Sequence, residues 1–276
     1  IRDYKVTGVQ TCALPICCEF WTVNHPEEGN SLGLRMWGEL DQAATHLENR
    51  FLDPQEEPFS RRALIIEASP CLAKKPIWIA GGNLNELASL DTREKGADYA
   101  TKMMRLCLRI KRLPIPVIMV LDGAAIGGGA EFAMSGDLRL GTQRSTFHFK
   151  QLTIGLSCGY GTTQELVKLL GVSRTTELLF LYEKIDAKKA ASWGLFNKIG
   201  KDKNEVKGIL DEILDRITVL DAQVIAAQKK MLLLDWENNK NVQRKELEIF
   251  SELWMKPAHQ KSMKNFLEKK RTKQQG

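Results

Sequence analysis

Nothing in this chain resembles a membrane span: no apolar run approaches the ~18–20 residues a spanning helix needs. Histidine is scarce, at four residues, and none stands at ligand spacing from a cysteine. The six cysteines, Cys12, Cys17, Cys18, Cys71, Cys107 and Cys158, include no C-x-x-C pair. A zinc site is therefore not expected, and the thiols suit a reduced, cytosolic compartment. Neither a G-x-G-x-x-G fingerprint nor a Gly-Lys-Ser/Thr phosphate loop occurs. The basic run Lys264–Lys273 lacks the repeated aromatics that stack bases, so it reads as a solvated helix end and not as a nucleic-acid site.

What is present describes an ordinary soluble globular chain. The 276 residues, 43% hydrophobic and 27% charged, suffice for one large domain or a domain with a helical appendage. The net charge of +6 suits an anionic ligand without demanding one. The first residues stand apart: Val6–Ile16 reads VTGVQTCALPI, which resembles a translated sequencing-library adapter. On that reading residues 1–17 are not native and are set aside, and the native N-terminus, with any targeting peptide it carried, is missing.

Beyond that point strands and helices alternate. Phe20–Val23, Ala63–Glu67, Pro76–Ala80, Val117–Leu121, Leu138–Leu140 and Thr146–Phe149 read as strands. Ser31 is placed to cap a helix carrying Met36, Leu40, Ala43, Ala44 and Leu47 at helical spacing. Asp53–Phe59 reads as a loop. Thr92–Leu113 predicts a long helix with Ala100, Met103, Met104, Cys107 and Ile110 facing inward, stopped by Pro114 and Pro116. Thr162–Leu170 is helical, and Asp186 can cap a helix closing at Gly194. From Asn204 onward only helical pattern remains. The expected class is α/β, with residues 18–200 as core and 201–276 as a C-terminal helical region.

The chemistry-bearing segment is Val117–Met134. A strand apolar throughout leads into Gly127-Gly128-Gly129 and then a helix carrying Glu131. Three glycines allow unusual backbone angles and close approach to main-chain N–H groups, beside the positive end of a helix. A phosphate cradle, a tight helix–sheet contact and an oxyanion hole all use such a segment. An oxyanion hole asks for a second donor, and Gly81-Gly82, again between an apolar strand and a helix-like segment, Asn83–Leu90, offers one.

At this point a resemblance emerges. Ile79-Ala-Gly-Gly-Asn-Leu-Asn-Glu-Leu87, Asp122-Gly-Ala-Ala-Ile-Gly-Gly-Gly-Ala-Glu-Phe132, Ile154-Gly-Leu with Gly159-Tyr-Gly-Thr-Thr-Gln164, Ile185-Asp-Ala-Lys-Lys-Ala with Trp193-Gly-Leu195, and Val23-Asn-His-Pro26 with Asn30-Ser-Leu32 are similar, in order, to the motifs of the enoyl-CoA hydratase/isomerase (crotonase) superfamily. The resemblance implies a crotonase fold of repeated β-β-α turns, assembled as trimers or dimers of trimers, with the C-terminal helices serving trimerisation and covering the active site. It implies a coenzyme A thioester as ligand and no cofactor beyond that coenzyme A. By position, the backbone N–H groups of Gly82 and Gly128 would hold the thioester oxygen and Glu131 would be the first catalytic carboxylate. Ala80, Gly81, Gly82, Asn83, Leu84, Asn85, Gly127, Gly128, Cys158, Gly159 and Tyr160 would line the ligand site.

Three departures carry weight. The family's second carboxylate aligns with Gln151, which can hydrogen-bond a water but cannot usefully move a proton near neutral pH. Glu131, in an apolar pocket, is expected to titrate nearer neutrality. Leaving CO2 generates an enolate without any base, so decarboxylation of malonyl-type thioesters, or C–C cleavage, competes with hydration. His148 and Tyr160 are candidates to bind an acid group in that case. Asn83 replaces the usual Asp, with little change expected, and Ser157-Cys158 replaces a residue and the proline after it. Cys158 as a nucleophile has no histidine at a telling spacing. A catalytically weak binding or assembly subunit is the alternative of a different class.

Overall fold

The computed structural model describes residues 9–12, 17–52, 61–71, 75–233, 244, 247–248, 250–251 and 254–274. Among the described residues, ten strands lie in two sheets. One sheet has the order β1 (Val9–Cys12), β2 (Cys18–Val23), β3 (Ala63–Ala68), β5 (Val117–Leu121), β7 (Leu138–Thr142) and β10 (Lys198–Gly200). The other has the order β4 (Ile77–Ile79), β6 (Ala124–Ile126), β8 (Thr146–His148) and β9 (Ile185–Asp186). Pairing is parallel except for β1 on β2 and β9 on β8. Parallel strands need crossovers, and α1 (Leu34–Leu52) and α3 (Arg93–Arg112) supply them. Further helices among the described residues are α2 (Leu84–Leu87), α4 (Gly128–Ala133), α5 (Thr162–Phe180), α6 (Ala187–Ser192), α7 (Lys203–Thr218), α8 (Ala222–Leu232) and α9 (Pro257–Gln274).

The segment set aside as foreign is described only at Val9–Cys12 and Cys17, where Val9–Cys12 is an antiparallel edge strand. The expected loop Asp53–Phe59 lies outside the described residues.

Patterning explains most of the elements. Met103, Leu106 and Ile110 on α3 are wholly buried, as the helical spacing demands. Each contributes roughly 1.5–3 kcal/mol of transfer free energy before chain entropy is counted. The central strand β5 is buried nearly throughout, consistent with its continuous apolar run.

Two expectations change. Ser31 does not cap α1: Leu34 N–H donates instead to Glu86 Oε2 at 2.6 Å, a carboxylate brought in from α2. The helix from Thr162 runs on past Leu170 to Phe180, across a break at Gly171 (φ 76°, ψ 164°). Asp186 does cap α6, accepting from Lys189 N–H at 2.8 Å, and Gly194 closes that segment in the left-handed region.

Candidate active site

The site follows from three neighbouring strands. β4 and β6 pair in parallel, and β6 pairs in parallel with β8. Their C-terminal ends therefore lie side by side, and the segments that follow are delivered to one edge of the sheet. After β4 comes Ala80-Gly81-Gly82 and then α2, whose N-cap Asn83 accepts from the N–H groups of Asn85 and Glu86. After β6 comes Gly127 (φ 52°), then Gly128 as the first residue of α4. After β8 comes the one-turn 3-10 helix Gln151–Ile154.

The two glycine turns touch. Gly81 sits at φ 90°, and a Cβ there would lie 2.6 Å from Ile126 O and 3.0 Å from Gly128 N, so only glycine lets the turns meet. Gly127 N–H donates to His148 O at 2.8 Å, tying the second turn to β8. Among the described residues, neither Gly82 N–H nor Gly128 N–H meets a protein acceptor. Free N–H groups at helix starts can hold an oxygen that becomes negative.

Glu131 lies in the first turn of α4 and is 2% exposed. Its surroundings are less apolar than the sequence implies. Oε1 accepts from Gly159 N–H and Tyr160 N–H, both at 3.0 Å, and Oε2 accepts from Gln151 Nε2 at 2.7 Å. Gln151 Oε1 is buried and has no partner among the described residues.

One cavity of about 480 Å³ takes in most of this. Ala80, Gly81, Gly82, Asn83, Leu84, Asn85, Gly127, Gly128, Glu131, Gln151 and Tyr160 all line it. Cys158 and Gly159 do not. Turning the Gly159 and Tyr160 amides inward onto Glu131 sends the Cys158 side chain into the hydrophobic core, and a Cβ on Gly159 would lie 2.5 Å from Phe250. Cys158 is thus neither a wall of the cavity nor placed as a nucleophile. His148 stays off the cavity as well; it supports the glycine turn through its backbone carbonyl.

Several lining residues were not foreseen. Tyr99 Oη donates to Leu32 O at 2.8 Å, so the 2.6 Å contact between the two phenols has Tyr160 Oη donating to Tyr99. Burial pushes both phenols well above their ordinary range, and the nearby Glu131 adds to the shift; both stay protonated. The spacing of Tyr99 with Met103, Leu106 and Ile110 marks it as inward-facing, though not as part of a site. Phe250, Trp254 and Phe266 close the cavity from the C-terminal region. Trp254 is anchored by Nε1 donating to Leu90 O at 2.8 Å, and no spacing rule links residues so far apart in the chain.

Asn83 also departs from expectation. Its Nδ2 donates to Glu28 Oε2 at 2.6 Å, which an aspartate cannot do. Asn83→Asp would set two carboxylates at hydrogen-bond distance, a repulsion of about 1 kcal/mol even in a watery setting. Thioester turnover is expected to fall roughly five-fold near neutral pH and to recover in Asn83→Asp with Glu28→Gln. Steady-state kcat/KM of the two variants checks this; an Asn83→Asp enzyme equal to the parent would show that the contact is immaterial.

The sequence profile of the enoyl-CoA hydratase/isomerase family matches residues 20–276. A short-chain-enoyl-CoA hydratase of Clostridium acetobutylicum is 28% identical over 91% of each chain. The human ethylmalonyl-CoA decarboxylase is 27% identical over 86% of this chain and 74% of its own. Among solved structures, an enoyl-CoA hydratase from Bacillus halodurans superposes with a TM-score of 0.81 at 22% identity, over 93% of this chain and 99% of its own. In the described residues no helix is long and apolar enough to cross a membrane, and no group of three or more His, Cys, Asp or Glu is arranged for a metal.

Proposed function

We propose, from the premise that this chain belongs to the enoyl-CoA hydratase/isomerase family, that it hydrates 2-enoyl-CoA thioesters by stabilising their enolate between two backbone N–H groups. The observation that carries this is the meeting of the Gly82 and Gly128 turns beside Glu131 in one cavity. The thioester oxygen lies between the Gly82 and Gly128 amides, where charge arrives as water adds to Cβ. Glu131 takes the proton of the attacking water and returns a proton to Cα. Gln151 carries no titratable proton; its unpartnered Oε1 accepts from the water and positions it. The enzyme works as a homotrimer or dimer of trimers in the cytoplasm, with no cofactor beyond the coenzyme A of its substrate.

A second reaction is favoured by Gln151 itself. A neutral amide in place of a second carboxylate leaves room for a substrate carboxylate, which two acids would repel. Loss of CO2 from a malonyl-type thioester then sends an electron pair to the oxygen between the two glycine amides, and Cα takes a proton afterwards. Two relatives with hydratase and decarboxylase names at similar identity support keeping both reactions in view.

Loss of the conjugated absorbance of short trans-2-enoyl-CoA, followed beside CO2 release from ethylmalonyl-CoA, separates the two. Absence of thioester binding would sink both. Gln151→Glu sharpens the contrast. With Glu131 already 2.7 Å from the amide, two carboxylates there must share a proton. Hydration is expected to rise at least ten-fold and decarboxylation to fall. Equal changes in both rates would remove Gln151 from the chemistry.

A further inference from the structure

Behind Glu131, on the side away from the substrate cavity, lies a second, much smaller cavity of about 10 Å³. Glu131 and Tyr160 line both cavities and together form the wall between them. The small cavity is also lined by Lys111 of α3, Ser135, and Thr162 and Glu165 of α5. It has room for a single water, and this set of polar groups supplies the two to four partners such a water needs. Lys111 Nζ is ion-paired with Glu165 Oε2. The other oxygen, Glu165 Oε1, is buried and has no partner among the described residues. The pair lies near the surface, with side chains 12% and 15% exposed, so its outer edge meets solvent.

The charges acting on Lys111 include Asp137, Arg139, Lys168 and Lys229. Burial pushes the Lys111 ammonium down to about 7, with Asp137 pulling it up and Arg139, Lys229 and Lys168 pushing it further down. Ser135 Oγ donates to Phe132 O and Thr162 Oγ1 to Glu131 O, which leaves the lone pairs of both hydroxyl oxygens for a water.

We propose that Glu165, held by Lys111, exchanges protons between solvent and Glu131 through this rear cavity while a thioester fills the cavity in front. The inference rests on the acid–base role given to Glu131 above. Enolisation of a bound acyl thioester shows the balance. Glu131 takes the Cα proton, and the C–H electron pair moves to the thioester oxygen held by the glycine amides. The proton passes from Glu131 through the water to Glu165 Oε1 and out to solvent. A solvent deuteron travels the reverse path, and the enolate pair forms a Cα–D bond. Without the path, Glu131 hands back the proton it took. Decarboxylation needs the same route for a different reason: each turnover consumes one proton, which must reach Glu131 from outside.

The test is deuterium wash-in at Cα of a saturated short acyl-CoA in D2O, read by mass spectrometry. The parent is compared with Glu165→Gln, Ser135→Val and Glu131→Gln, with thioester affinity measured by calorimetry. Glu165→Gln keeps the size of the side chain and an acceptor for Lys111 but carries no proton; Ser135→Val fills the cavity from the opposite side. Wash-in is expected to slow at least five-fold in both, with affinity unchanged, and to stop in Glu131→Gln. A purely structural Glu165 would lower Tm and leave wash-in intact, and parental wash-in in both Glu165→Gln and Ser135→Val overturns the path while leaving the role of Glu131 standing. Wash-in that persists in Glu131→Gln, or its absence from a parent that binds the thioester, overturns the role of Glu131 and the path together.

Discussion

Gly128→Pro is expected to lower kcat at least 100-fold while the chain still folds. Proline removes the N–H that meets no acceptor among the described residues at the start of α4, and loss of one oxyanion donor costs about 10²–10³ in rate, or ~2.7–4 kcal/mol. Proline is tolerated at the first position of a helix, but its Cβ, like that of alanine, would lie 2.7 Å from Tyr160, so circular dichroism must show that the fold is kept. Gly128→Ala makes a useful companion. It keeps the N–H, but its Cβ would lie 2.7 Å from the Tyr160 ring and hydroxyl. Tyr160 cannot easily give way, because its hydroxyl is bonded to Tyr99 and its N–H to Glu131. A displaced donor should therefore cost a smaller, still measurable factor. A fully active proline variant would remove Gly128 from the oxyanion hole.

Glu131→Gln should reduce turnover by about 10²–10⁴, the usual worth of a positioned acid–base group, with thioester affinity nearly unchanged. The structure explains why this substitution separates chemistry from folding. The new carbonyl oxygen can accept from Gly159 and Tyr160 N–H as Oε1 does now. The new amide NH2 would face Gln151 Nε2, donor against donor, but Gln151 can turn its unpartnered Oε1 to receive it. The turned Gln151 Nε2 takes the unpartnered place that Oε1 holds now, so the number of unsatisfied buried groups does not rise and the loss in Tm should be small. Burst and steady-state rates with the thioester, measured beside a melting curve, check both halves. Unchanged kinetics would make Glu131 a structural anchor for the Gly159–Tyr160 turn.

Much of the fold and part of the site were legible in the sequence. Apolar runs and turn residues marked β4 and β8 but not β6, the third strand that positions the site, and α3 showed its inner face through Ala100, Met103, Met104, Cys107 and Ile110, all of them buried. The glycine turns at Gly81–Gly82 and Gly127–Gly128 were legible for the same reason: a strand, a glycine and a helix start are neighbours along the chain. Glu131 belongs with them, because its place in the first turn of α4 follows from counting residues. The Gln151 substitution was equally readable, since it is a change of chemical type at one position.

Where the sequence misled, the cause was contact between distant residues. Ser31 is a sound N-cap by type, yet the carboxylate that accepts from the first N–H of α1 belongs to Glu86, more than fifty positions away. Cys158 sits in a substrate-loop motif, yet the inward turn of its neighbours toward Glu131 buries its side chain. Asn83 looked interchangeable with Asp until Glu28 was found at its amide.

What the sequence determined by itself is the set of local devices: which strands end in glycine, which helix begins with free N–H groups, which carboxylate stands one turn inside it, and which second carboxylate is replaced by an amide. These depend on near neighbours, whose geometry backbone dihedrals and caps dictate. Only the tertiary structure decided that β4, β6 and β8 lie side by side in parallel, that two turns some forty-five residues apart touch, and that Tyr99, Trp254 and the rear cavity at Glu165 gather round them. Strand order is chosen by burial of the whole apolar surface at once, and that collective sum leaves no signature in the spacing of any one segment.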